Sequence, residues 1–150
     1  MPFKEREAQL DQAAAGPIWL SDSRIASLVQ AAIIYGANVR KLYDLYAWCI
    51  MPNHVHLVLQ PHSPLPKTMQ WLKARTARRA NDILGRAGHP FWQEESYDRW
   101  MRGEQELLDT IAYVEENPLN AGLVSAPEDW PYSSARRTDD RNRSSVLLGT

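Results

Sequence analysis

The chain has 150 residues, enough for one domain with a substantial core. Its 44% hydrophobic and 23% charged residues exclude a wholly disordered, collagenous or coiled-coil protein. Seventeen basic against 18 acidic residues give a formal charge of −1, so bulk charge does not drive nucleic-acid binding, and any such role needs a local basic patch.

Residues 4–15 (KEREAQLDQAAA) are good helix formers without Gly or Pro and predict an N-terminal helix within residues 1–15. Gly16-Pro17 ends it. Ser21 or Asp22 then caps an amphipathic helix marked by Ile25, Leu28, Val29, Ala32 and Ile33, with Gly36 as its stop. Two apolar runs, Leu45 to Ile50 and His54 to Gln60, flank Met51-Pro52-Asn53 and read as an antiparallel hairpin. Residues 65–84 form the next helix, with Leu65, Met69, Leu72, Thr76 and Ala80 inward. Residues 91–101 read as a third strand. A helix from Glu104 to Glu116 follows, and Asn117-Pro118 marks its end. Residues 119–137 are irregular but apolar and are expected to pack back on the body, whereas 138–150 are a polar tail. The order implies an α+β domain over 1–137 with an antiparallel sheet.

His54-Val55-His56 is the sharpest chemical feature. On a strand, residues i and i+2 share a face, so the two imidazoles form half of a metal site. The plainer alternative is two solvated histidines on a hairpin. Cys49 is the single cysteine, which disfavours a structural zinc site or an internal disulfide and suits a reducing, cytoplasmic compartment. Two imidazoles with an oxygen donor and open positions suit Mg²⁺ or Mn²⁺ acting on a phosphate. Tyr113 and Asn117 stand four apart on the third helix and share a face. They offer a nucleophile and an amide oxygen, or simply a half-buried Tyr and a helix cap. Lys67, Lys73, Arg75, Arg78 and Arg79 crowd one helix with Trp71, which suits either a nucleic-acid backbone or a solvated helix face. Arg99 and Arg102 can add phosphate contacts. No apolar run reaches the roughly 18 residues of a membrane span, and the charged N-terminus lacks the apolar stretch of a secretory signal.

The segments WCIMPNHVHLVL, FWQEESYDRW, YVEENPLNAGLV and DWPYSS together resemble the single-tyrosine HUH (IS200-like) transposases, in particular the REP-associated tyrosine transposases of bacteria. The likeness covers about residues 16–137. It implies a ferredoxin-like antiparallel sheet with helices on one face. It also implies single-stranded DNA cleavage and strand transfer through a 5′-phosphotyrosine, with Tyr113 as nucleophile. His54, His56 and Asn117 are then the ligands of Mg²⁺ or Mn²⁺, and hairpin-forming repeats are the DNA partner. Lys73, Arg75, Arg78, Arg79, Arg99 and Arg102 are the candidate DNA contacts. A non-catalytic hairpin-binding protein, or an inactive remnant of the transposase, is the alternative. The chain is expected to act as a monomer rather than a homodimer, with the C-terminal extension covering the tyrosine helix. Members of this family usually open with a strand, and residues 1–15 show no such segment, so the first strand is expected to be missing.

Overall fold

The structure, a computed structural model, describes residues 6–11, 19–93 and 97–137. Four strands, β1 (Arg6–Asp11), β2 (Tyr43–Ile50), β3 (His54–Pro61) and β4 (Tyr97–Trp100), form one antiparallel sheet in the order β2-β3-β1-β4. Helices α1 (Ser23–Asn38) and α2 (Leu65–Leu84) make the two crossovers, and α3 (Glu104–Asn120) follows β4. This is the expected ferredoxin-like α+β topology.

The expected N-terminal helix and the missing first strand are both corrected. Arg6–Asp11 is a strand, and it lies in the middle of the sheet, paired with β3 on one side and β4 on the other. Helix propensity spans only a few tenths of a kcal/mol per residue among these side chains. Two hydrogen-bonded neighbours and full burial of Ala8 and Leu10 outweigh it. The rest of that expected helix, residues 1–5 and 12–15, and the polar tail 138–150 lie outside the described residues.

The expectation of helices on one face holds for α1 and α2 only. Leu10, Ile50, Val55, Leu57 and Leu59 point into the larger core with α1 and α2, whereas Ala47, Cys49 and Val58 point into a second core with Leu107, Ile111 and Val114 of α3. A β-bulge between Leu45 and Ala47 resets the alternation of β2 between these two layers. Each large aliphatic side chain so buried contributes about 1.5–3 kcal/mol.

Local signals account for two of the helix ends. Asp22 caps α1, its Oδ1 accepting from Arg24 N at 2.9 Å. Gly85, at φ 68°, closes α2 in the left-handed conformation. Two boundaries differ from expectation. Gly36 does not stop α1, which runs on to Asn38. It is small because Tyr43 and Trp71 press against the helix there, and a Cβ would stand 2.5 Å from the Tyr43 hydroxyl. Pro118 does not end α3, which continues to Asn120. The proline forfeits one backbone donor, but its ring is buried and the next turn closes with Ala121 N donating to Asn117 O at 2.9 Å.

The third strand is shorter than the expected 91–101. Phe91 and Trp92 are core residues instead, with Trp92 Nε1 donating to Thr76 Oγ1 at 2.8 Å. The C-terminal extension packs back as expected. Ile50 N donates to Tyr132 O at 2.9 Å, Trp130 Nε1 donates to Ile50 O at 3.0 Å, and Ser133 bridges Cys49. It covers the outer edge of β2 and runs into the short helix α4 (Ser134–Arg137). Among the described residues, no helix is long and apolar enough to cross a membrane.

Gly36→Ala tests the contact between α1 and Tyr43. The gain in helix propensity is about 1 kcal/mol. The displaced phenol also loses its bond to Ile33 O (2.6 Å). Overpacking costs about 1–3 kcal/mol, so urea denaturation should show a net loss of about 1 kcal/mol or more. An unchanged or raised midpoint would count against the contact.

Candidate active site

The hairpin places the histidines. Val55 faces the α1/α2 core, so His54 and His56 must face the α3 layer. Their rings meet edge to face with centroids 4.8 Å apart, and Tyr113 of α3 stands 6.0 Å from His56, also edge-on. His56 is buried, whereas Tyr113 is 54% exposed. The tyrosine can therefore meet a large substrate while its ring stays beside the imidazoles.

Next to this group α3 leaves an open cleft of roughly 460 Å³, lined by Glu7, Gln9, His56, Arg99, Glu106, Asp109, Thr110 and Tyr113. β1 supplies the floor: Gln9 stands directly opposite His56 in the register, and Glu7 lies two residues along on the same face. Glu7 is buried and accepts from Arg99 Nε at 2.7 Å. Arg99 also donates to Glu106 Oε1 and, at 3.1 Å, to Thr110 Oγ1 on α3. The hydrogen bond to Glu7, more than that to Glu106, raises the Arg99 pKa against the opposing effect of burial. The backbone N–H of Arg102 and the guanidinium of Arg99 hold the Glu106 carboxyl below its usual range.

Each imidazole has an oxygen facing its Nδ1. Asn53 Oδ1 faces His54 Nδ1 at 2.7 Å, and Glu7 Oε1 faces His56 Nδ1 at 3.7 Å. The Asn53 oxygen favours the proton on His54 Nδ1 and leaves its lone pair on Nε2, whereas His56 Nδ1 lies beyond hydrogen-bond distance of Glu7. The residues present thus fit a divalent ion with two nitrogen ligands and oxygen donors. Among the described residues, no three His, Cys, Asp or Glu side chains converge on one point, so a further protein ligand here would be an amide such as Asn117 or Gln9.

The structure brings His54, His56 and Tyr113 together as the sequence suggested. Asn117 is half-buried one turn beyond Tyr113 on α3 and is not part of the cleft lining. The basic residues are dispersed. Lys73, Arg75, Arg78 and Arg79 lie on α2, across the sheet from the histidines. Lys73 Nζ donates to Gln93 O at 3.0 Å. Arg75 lies over the rings of Tyr35 and Trp71, while Arg78 and Arg79 are exposed. Arg99 sits in the cleft in its ion pairs, and Arg102 is exposed beside it. Sequence reasoning missed Glu7, Gln9, Asn53, Glu106 and Thr110. The alternation Glu7-Ala8-Gln9-Leu10 was the signal available for the first two.

Comparison with known proteins agrees with this geometry. Residues 23–117 match the family described as "Transposase IS200 like". The chain belongs to the IS200-like transposase family. It is 29% identical over 114 residues to a Haemophilus influenzae protein assigned as a REP-associated tyrosine transposase, covering 63% of this chain and 60% of that one. It is 23% identical over 96 residues to the REP-associated tyrosine transposase of Escherichia coli K12, covering 63% and 56%. The chain thus matches about three-fifths of the length of these curated relatives. A solved REP-associated tyrosine transposase bound to a REP hairpin shares the fold, with TM-score 0.68 at 19% identity over 91% of this chain and 79% of that one. A Deinococcus radiodurans protein assigned as a transposase superposes with TM-score 0.50 at 19% identity, covering 75% and 88%.

The Glu106 contacts predict a pH dependence. Its folded pKa lies below the ordinary 4.5, so its stabilising effect is complete above that value and fades as pH falls through the folded pKa. Glu106→Gln should therefore lower Tm at pH 7, and the gap from wild type should close towards pH 3. A gap that is constant with pH would sink the assignment.

Proposed function

We propose that this protein cleaves and rejoins single-stranded DNA through a 5′-phosphotyrosine, acting on hairpin-forming repeats. The observation that carries this reading is Tyr113, half-exposed and 6.0 Å from the buried His56 ring on a neighbouring element. Tyr113 Oη attacks the phosphorus, the bond from phosphorus to the 3′ oxygen breaks, and the phenolic proton balances the new 3′-OH. A 3′-OH attacking the phosphotyrosine reverses the step and restores the tyrosine.

His54 and His56, with Asn117 as the third protein ligand, would hold Mg²⁺ or Mn²⁺, which supplies charge neutralisation and polarisation of the phosphate. The cleft lining supports the need for a cation: three carboxylates face one arginine, and that arginine is already paired. A phosphodiester entering without added positive charge would be repelled. Exposed Arg78 and Arg79, with Lys73 and Arg75 on the same helix, suit backbone contacts to the hairpin from the far side of the sheet. Arg99 acts mainly within the protein, and exposed Arg102 would add a backbone contact beside Glu106. The REP-associated relatives and the hairpin-bound solved structure favour hairpin DNA as the partner. The docked C-terminal segment, tied to β2 at Ile50 and to α3 through Ser134 Oγ and Glu115 Oε2 (2.6 Å), favours a monomer whose tyrosine serves its own histidines.

A covalent-adduct assay tests the reading. Protein, Mn²⁺ and single-stranded hairpin oligonucleotides should give a protein–DNA band on a denaturing gel. Tyr113→Phe and His54→Ala should both lose it while retaining hairpin binding within about threefold. Binding without any adduct from wild type would favour a non-catalytic hairpin-binding protein.

A further inference from the structure

We propose that Glu7 is a positioning residue, orienting the His56 imidazole on one side and holding Arg99, and through it the tyrosine helix, on the other. The inference rests on the reading of His54 and His56 as metal ligands. A carboxylate is an unusual choice for the interior of a central strand, where burial without partners is costly. Glu7 is 6% exposed, and both its oxygens face functional groups. Oε2 accepts from Arg99 Nε at 2.7 Å, and Oε1 faces His56 Nδ1 at 3.7 Å.

The second half of the argument concerns Arg99. Its guanidinium reaches Thr110 Oγ1 at 3.1 Å and Glu106 on α3. Thr110 is buried, three residues before Tyr113 on the same helix, and so points to nearly the same side. Glu7 therefore contacts β3 and β4 directly and reaches α3 through a single arginine. One side chain links the imidazole that would bind the ion to the helix that carries the nucleophile. Carboxylates behind metal-bound histidines typically change metal affinity 10–100-fold.

The test compares two variants that each remove one negative charge from the cleft. Glu7→Gln removes the group facing His56. Asp109→Asn removes a carboxylate that accepts from Gln105 on α3 (2.9 Å). Mn²⁺ affinity of the protein without DNA is read by electron paramagnetic resonance of free Mn²⁺. Glu7→Gln should weaken binding about 10-fold or more, and Asp109→Asn by less than about threefold. Nitrogen NMR of His56 without metal gives a second readout: the Nδ1–H tautomer should dominate in wild type and give way to a mixture in Glu7→Gln. Should Glu7→Gln fail to fold, Glu7→Asp keeps the charge while drawing it back by one methylene, and an intermediate loss of affinity is expected. Equal affinities for wild type and the folded Glu7 variant, or equal losses in the two charge-removing variants, would overturn the proposal. Mn²⁺ binding that is indifferent to His56→Ala would instead overturn the metal reading beneath it.

Discussion

Helix α3 is too narrow for the sheet face on which it lies. Four strands at about 4.8 Å spacing present a surface roughly 14 Å across between outer strand axes, whereas one helix with its side chains is about 10–12 Å wide. On the opposite face α1 and α2 lie side by side and close the core. On this face α3 packs over β2 and β3 with Ala47, Val58, Leu107 and Ile111. The surface over β1 and β4 stays open, and polar side chains occupy it: Glu7, Gln9 and Arg99. The cleft therefore follows from counting helices against strands, and the histidines stand at its border because β3 is the last strand that α3 covers.

The same geometry separates two groups of residues that the sequence could not separate. The basic ridge on α2 and the His-x-His strand are close in the chain, yet the sheet stands between them. A nucleic acid that touched both would have to pass around an edge of the sheet. On the histidine face, carboxylates dominate the charged lining of the cleft, Glu7, Glu106 and Asp109 against Arg99, which favours a bound cation. The positive charges exposed on α2 suit long-range attraction, weakened by salt.

Much of this was legible beforehand. Helix α2 has the bounds its periodicity implies, residues 65–84, because a strong apolar stripe ends at a glycine that takes the left-handed conformation. The hairpin and the sharing of one face by His54 and His56 followed from strand alternation alone. What stayed hidden depended on partners distant in the chain. Arg6–Asp11 carries helix-forming side chains, and only its place between β3 and β4 makes it a strand. Gly36 looked like a terminator because its neighbour Tyr43 could not be seen. Arg99 looked like a phosphate contact because Glu7 lies 92 residues away.

That separation also bears on how the protein is made. β1 precedes the other three strands in the chain but cannot take its central place until β3 and β4 exist. Long-range pairing of this kind carries a loop-closure cost and slows folding. Until β4 is made, the edge of β1 that will receive it is a row of unpaired donors and acceptors. The floor of the cleft and the arginine that reaches the tyrosine helix therefore need both β1 and β4 in place. A partly synthesised chain thus carries its histidines before it has the cleft beside them, since Arg99 and α3 come later in the chain.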